Sequence, residues 1–266
     1  MADRAAKDAL YESFAEVARA LASGRRAEIV DVLAQGERPV EQVAAEIGQS
    51  VANTSHHLRA LARAGLVRTR RESTRIYYAL ASDRVGSLWS ALRDVAAEHV
   101  AGLGQLAEAY LGRRDGIEEV GRDELAARLA RGEVVVLDVR PAAEYAAGHI
   151  AGARSVPASE LNRHLDGVAG LAGLDGLAGL DGLDGLAALP AGADVVAYCR
   201  GPYCVYADDA VRELTRRGVR ARRLADGFPE WKRAGLPVAA GAVAAGAVAA
   251  GAAAAGAVTA GAREEP

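Results

Sequence analysis

The chain has two cysteines, Cys199 and Cys204, separated by Arg200, Gly201, Pro202 and Tyr203. The apolar run Val195-Val196-Ala197-Tyr198 leads into Cys199, and a helical pattern from Tyr206 to Arg217 follows Cys204. A loop between a strand and a helix turns several backbone N–H groups toward one point, and the helix dipole adds positive potential. Both favour a thiolate, so Cys199 is expected to be a nucleophile with a lowered pKa. Arg200 adds to that field, and Gly201 and Pro202 let the chain curve. Cys204 has two readings, a second reactive thiol or a small residue packed on the following helix.

A second group of residues suits recognition rather than covalent chemistry. Gln49, Ser50, Asn53, Thr54, Ser55, His56 and His57 gather short hydrogen-bonding groups at the start of one helical stretch. Such groups reach base edges and phosphates. Between Arg59 and Arg75 there are six arginines and one acid, Glu72. Arg59, Arg68, Arg70, Arg71 and Arg75 are the candidates for phosphate contacts.

These residues lie in a chain of 266 residues with a net charge of -3, half of it apolar, so a basic surface must be local. Met1 to Asp8 mixes charges of both signs with no apolar run after it, and no secretory signal or membrane span is expected. Two close cysteines do not make a disulfide scaffold. A cytoplasmic protein is expected, with no metal site and no cofactor.

The elements that must position the chemistry follow from periodicity. Helices are predicted from Asp8 to Ala22, over Ile29 to Leu33 ending at Gly36, from Val40 to Ile47, and from a Ser50 cap to Gly65. Leu66 to Leu80 favours a hairpin with its tip at Arg71-Glu72-Ser73-Thr74. One long helix is predicted next, with Val85, Leu88, Trp89, Leu92, Val95, Val100, Leu103 and Leu106 along a stripe that pairs in part with a second subunit. After it strands and helices alternate: a helix from Arg122 to Ala130, a strand Val134 to Leu137, a helix from Pro141 and a strand Val219 to Leu224. This pattern implies a parallel sheet. The expected division is a domain over 1–110, a linker over 111–116, a second domain over 117–238, and a tail over 239–266. Asp166 to Leu189 and Ala239 to Ala262 are low-complexity repeats, read as an expanded loop and a disordered tail.

The stretch from about Asp8 to Val100 resembles the ArsR-type winged-helix repressors. The matching residues are Leu21-Ala22 with Arg25-Arg26, Ser50 to Leu58, Leu61, Ala64-Gly65-Leu66-Val67, and Arg75-Ile76-Tyr77-Tyr78. The resemblance implies a mainly α winged helix-turn-helix, a homodimer and a palindromic double-stranded operator. The metal sensors of that family carry a thiolate box that would fall around Val40 to Glu46, where this chain has no cysteine. His99, with Asp94 and Glu98 near it, has no second histidine at ligand spacing.

The stretch from about Ile117 to Val238 resembles rhodanese (sulfurtransferase) domains. Leu137 to Tyr145, Gly148 to Ala153, Val156-Pro157, Tyr198-Cys199-Arg200-Gly201, Asp226 to Trp231 and Ala234 to Val238 carry the match. The resemblance implies an α/β fold in which Cys199 accepts a sulfane sulfur as a persulfide, cradled by the Arg200 to Cys204 amides, with a sulfur donor or acceptor as partner. Asp138 and Arg140 then lie near the active face as structural support, and His149 holds the fold. Many rhodaneses close this loop with arginine where this chain has Cys204. A persulfide on Cys199 attacked by Cys204 gives a disulfide or a polysulfide bridge. Three functions follow from the combination: a repressor that carries or senses sulfane sulfur, a sulfurtransferase whose DNA-binding half only localises it or controls its own expression, or a scaffold whose unreactive rhodanese-like module binds a partner.

Overall fold

A computed structural model describes residues 3–163 and 194–241. The repeats at 166–189 and beyond residue 241 lie outside the described residues.

The N-terminal unit is α1 (Arg4–Leu21), α2 (Gly24–Leu33), β1 (Arg38–Pro39), α3 (Val40–Glu46), α4 (Val51–Arg63), β2 (Val67–Glu72), β3 (Arg75–Leu80), α5 (Asp83–His99) and α6 (Leu103–Leu111). Helix α4 begins where the sequence places a cap: the Asn53 amide donates to Ser50 Oγ at 3.2 Å. Ile29, Val30, Val43, Leu58 and Leu61 are fully buried and pack α2, α3 and α4 around one core. Strands β2 and β3 pair antiparallel from Val67↔Leu80 to Glu72↔Arg75, and β1 adds to the far side of β3. This is a helix-turn-helix followed by a wing.

The single long helix expected after the wing is two helices. Val100 adopts an extended backbone and Gly102 a left-handed one with φ 83°, so the chain turns between α5 and α6. The expected stripe is still largely bare: Leu92, Val95, Val100 and Leu106 are exposed. Leu10, Tyr11 and Phe14 on α1 are exposed too.

The C-terminal unit is β4 (Glu119–Val120), α7 (Arg122–Ala130), β5 (Val135–Asp138), α8 (Ala142–Ala147), β6 (His149–Ile150), β7 (Arg154–Ser155), β8 (Val195–Tyr198), α9 (Val205–Arg216), β9 (Ala221–Leu224), α10 (Phe228–Arg233) and β10 (Val238–Ala239). Five strands form a parallel sheet in the order β4-β9-β8-β5-β7. Strand β8 is central and buried along its whole length, which is why it reads as an unbroken apolar run. Strand β10 pairs with β6 through Val238↔Ile150 and Ala239↔His149, so the folded unit extends one residue past the expected boundary.

The segment read as a linker is anchored. Arg114 Nε donates to Asp208 Oδ2 at 2.7 Å and its Nη2 to the Pro202 carbonyl at 2.7 Å. No helix among the described residues is long and apolar enough to cross a membrane.

Leu58→Ala leaves a void in the centre of the winged-helix core and is expected to destabilise it by about 2–5 kcal/mol in urea denaturation. A loss well below 1 kcal/mol would contradict this packing.

Candidate active-site loop and DNA-binding face

The cysteine loop sits at the C-terminal edge of β8, where a parallel sheet feeds the start of a helix. Cys199 and Cys204 are joined as a disulfide, with their Cα atoms 6.4 Å apart. Cys199 is 1% exposed, whereas Cys204, the cap residue of α9, is partly open. The loop is shaped by what holds its carbonyls. The Cys199 carbonyl accepts from Phe228 N at 3.0 Å. The Arg200 carbonyl accepts from Gln35 Nε2 at 3.1 Å. Arg223 Nη2 donates to the Gly201 carbonyl at 3.3 Å, and Arg114 to that of Pro202. Among the described residues, the amides of Arg200, Gly201 and Tyr203 make no backbone hydrogen bond, whereas Cys204 N donates to the Gly201 carbonyl. The carbonyls of the loop are thus engaged, while these three amides are left without a backbone partner.

Asp138 and Arg140 lie beneath the loop. Both are fully buried, and Arg140 Nε and Nη2 fork onto the Asp138 carboxylate. Arg140 Nη2 also donates to the Gly148 carbonyl at 2.7 Å, and its guanidinium stacks over Phe228. The Tyr198 hydroxyl donates to Asp138, and burial first, then the Asp138 charge, holds its pKa well above the usual tyrosine value. His149 stacks on Tyr145 at 3.7 Å between ring centres, with Nδ1 at 2.8 Å from the Tyr145 carbonyl.

The charge that Arg200 was expected to add beside Cys199 is already engaged by a carboxylate pair: Nε donates to Glu144 Oε1 at 2.9 Å and Nη1 to Glu46 Oε2 at 2.7 Å. Arg38 Nη2 donates to the same Glu144 oxygen at 2.6 Å. Glu144 is 2% exposed, so two guanidiniums compensate one buried charge. Gln35 completes the bridge, receiving Arg140 Nη1 at 3.3 Å while donating to the loop. A second cluster joins α5 to α10: Arg93 Nη2 and Arg233 Nη2 donate to Glu230 Oε1 at 2.8 and 2.9 Å. Of these bridging residues only Arg200 and Arg140 were singled out from sequence. Gln35, Arg38, Glu46, Arg93 and Glu144 are polar residues of ordinary surface type, and the contacts between the two units, such as Arg38–Glu144, Glu46–Arg200 and Arg93–Glu230, span more than a hundred residues.

These contacts set the titration of the bridges. Burial opposes the Glu46 charge, but Arg200 and then Arg38 hold its carboxyl below the usual range. Burial likewise opposes the Glu230 charge, and Arg93 with Arg233 outweighs it. Asp31 runs the other way: burial raises it, and the Trp89 Nε1–H donation at 2.7 Å only partly offsets that.

On the recognition helix α4, Asn53 and His56 are exposed, and Gln49 and Ser55 are partly open at its start. Thr54 is a correction. It is fully buried, and its hydroxyl donates to the Ser50 carbonyl at 2.9 Å, so it has no surface to offer DNA. His57 is half-buried, and burial, with His56 and Arg26 nearby, keeps its imidazole below the usual value. Arg59 is exposed, with Nε on the Ser55 carbonyl. On the wing, Arg68, Arg71 and Arg75 are exposed, and none of the three makes an ion pair among the described residues. Arg70 is engaged, lying over Tyr77 and paired with Glu37 and Glu72.

A winged helix-turn-helix with an exposed basic wing, fused to a rhodanese-like sheet with a cysteine at its strand-to-helix loop, defines a transcriptional regulator of composite build. Residues 121–234 match the rhodanese-like domain family, and residues 23–69 match the family described as bacterial regulatory protein, arsR family. The chain is 44% identical over 236 residues to the HTH-type transcriptional regulator Rv0324 of Mycobacterium tuberculosis, covering 89% of this chain and 94% of that one. It is 40% identical over 73 residues to the regulator KmtR of the same organism, covering 27% of this chain and 56% of KmtR. Among solved structures, a homodimeric winged helix-turn-helix DNA-binding domain from Mycobacterium bovis is 46% identical with a TM-score of 0.35, covering 38% of this chain and 91% of that one. The protein belongs to the ArsR family of helix-turn-helix transcriptional regulators and carries a C-terminal rhodanese-like domain.

Two outcomes test the geometry of the loop and its bridges. A Cβ on Gly227 would stand 2.3 Å from Gly201 N, so Gly227→Ala must displace the cysteine loop and is expected to destabilise the C-terminal unit by about 1–3 kcal/mol in thermal unfolding. The lowered Glu46 and Glu230 values make their stability complete above the ordinary glutamate value of 4.5 and lost as pH falls through the lower folded values. Glu230→Gln should therefore lose less stability than the parent between neutral pH and pH ~3 in acid titrations followed by tryptophan fluorescence.

Proposed function

We propose that this regulator is a homodimeric repressor in the cytoplasm, whose DNA affinity is set by sulfane sulfur arriving at Cys199. Cys199 thiolate takes the outer sulfur of a persulfide or polysulfide donor, forming Cys199–S–SH and releasing the donor thiolate. Cys204 thiolate then attacks the Cys199 sulfur, closing the disulfide and expelling hydrosulfide. Atoms and charge balance without a further oxidant, because the donor sulfur is reduced.

The observation that carries this reading is the wiring of the loop. The residue after Cys199 is held through its carbonyl by Gln35 at the end of α2, and through its guanidinium by Glu46, the last residue of α3. Helix α3 is the first helix of the helix-turn-helix, so a change in the loop acts directly on the element that seats α4. The exposed Leu92, Val95, Val100 and Leu106, with Leu10 and Phe14, support pairing with a second copy. Gln49, Ser50, Asn53, Ser55 and His56 face base edges in this reading, while Arg59, Arg68, Arg71 and Arg75 take phosphates. Closure of Cys204 onto Cys199 favours sensing over turnover, since it removes the sulfur that an acceptor would receive.

The test is fluorescence anisotropy with the protein's own promoter DNA, before and after a polysulfide donor. Affinity is expected to change about fivefold or more, and Cys199→Ser and Cys204→Ser should both be blind to the donor. An unchanged affinity in the treated parent would overturn the reading. In the same assay Arg68→Ala, Arg71→Ala and Arg75→Ala should each lower the salt slope by about two, one for each protomer of the dimer. Arg70→Ala, whose charge is already paired, should change it less.

A further inference from the structure

The disulfide is unequal in access, and the inequality has a shape. Cys199 is 1% exposed inside the core of the C-terminal unit. Cys204 instead lines a cavity of about 480 Å³ between the two domains. Tyr203 and Tyr206 flank Cys204 on one wall, and Ala27, Trp89 and Arg93 of the winged-helix unit form the opposite one. An incoming molecule reaches one sulfur of the pair from this space.

The wall that faces Cys204 carries a cation with one unengaged nitrogen. Arg93 spends Nη2 on Glu230 and its buried Nε lies 3.9 Å from Asp94 Oδ1, but its Nη1 makes no hydrogen bond among the described residues. Its Nη1 lies 3.4 Å from where a Cβ on Gly201 would stand, which puts the guanidinium against the cysteine loop itself. Arg200, the other guanidinium of the lining, is occupied by Glu144 and Glu46, and the remaining acids of the lining are engaged as well, Glu28 by Arg25 and Asp31 by the Trp89 indole N–H. The aromatic rings give the cavity room for a short carbon skeleton, and Arg93 gives it a place for one carboxylate.

We propose that this interdomain cavity is the entry site for a low-molecular-weight thiol bearing a carboxylate, which reduces the disulfide by attack on Cys204. The thiolate forms a bond to Cys204 Sγ while the Cys204–Cys199 bond breaks, and the electron pair leaves on Cys199 as a thiolate. A second molecule of the thiol attacks the mixed disulfide, releasing the symmetrical disulfide and the Cys204 thiolate. Two thiols are oxidised and one protein disulfide is reduced. Cys204 is the sulfur attacked because it is the reachable one, and Cys199 is the leaving group because the tethered loop can accommodate its charge. The proposal deepens the sensing reading and rests on it in one respect: it supplies the reset that a reversible sensor needs. Since both domains form the walls, the reductant reads the state of the interface as well as that of the sulfurs.

The test uses the oxidised full-length protein without DNA, so that failure of DNA coupling and failure of this proposal stay separate. Reduction by 3-mercaptopropionate, 2-mercaptoethanol and cysteamine is timed by maleimide labelling at matched thiolate concentrations. 3-Mercaptopropionate is expected to be about tenfold faster than the other two and to saturate, the preference one charge-assisted hydrogen bond supplies. Arg93→Gln should remove that preference, and Ala27→Phe, which fills the cavity from the other wall, should slow all three thiols. Oxidised parent quenched in acid during reduction by 3-mercaptopropionate should carry the mixed disulfide at Cys204, seen by peptide mass spectrometry. Equal rates for the three thiols in the parent, or a mixed disulfide trapped on Cys199 instead of Cys204, would overturn the proposal.

Discussion

A buried carboxylate with two guanidiniums on it governs how this molecule is put together. Glu144 belongs to the sheet domain, Arg38 to the winged helix, and Arg200 to the cysteine loop, and the three meet out of water. A single buried charge costs several kcal/mol unless it is paired, and pairing across a domain boundary makes the boundary itself the condition for pairing. Separating the domains would strand Glu144 with one partner and free Glu46 from Arg200. The interface therefore depends on orientation, because these groups must meet together to be paired, and it places the loop where the first helix of the helix-turn-helix ends.

The rest of the loop's surroundings follow from that fixed point. Arg140 is neutralised by Asp138 below, and Gln35 links it to the loop backbone. Gly227 lets α10 approach until its first amide, Phe228 N, reaches the Cys199 carbonyl. Glu230 on the same short helix collects Arg93 and Arg233, joining α10 to α5. The sulfurs are thus held between two polar clamps, one to α2 and α3, the other to α5. Motion of the loop must be shared with at least one of them.

Much of this architecture was legible in the residues. The Ser50 cap, the apolar β8 run and the hairpin between Val67 and Leu80 obey local rules, and local rules are what a sequence displays. The rhodanese-like and ArsR-type halves were legible through short runs such as Tyr198-Cys199-Arg200-Gly201 and Ser55-His56-His57-Leu58. What could not be read was long range. Arg200 looked like an electrostatic aid to Cys199, because nothing nearby in sequence announces Glu144 or Glu46. Thr54 looked like a recognition residue, because its type suits one, yet helical phase turns it inward. The break at Gly102 was hidden by apolar residues that keep their spacing across it.

Strand β10 carries a consequence for the order in which the chain matures. Val238 and Ala239 close the C-terminal unit by pairing with His149 and Ile150, and the Gln35–Arg200 contact spans 165 residues. The winged helix, in contrast, has its whole core in residues before Val85 or close to it. Chains fold as they leave the ribosome, early units first. The winged-helix half is complete while the rhodanese-like half is still being synthesised, so each new molecule passes through an interval in which the DNA-binding surface exists without the paired cysteines that later dock beside it.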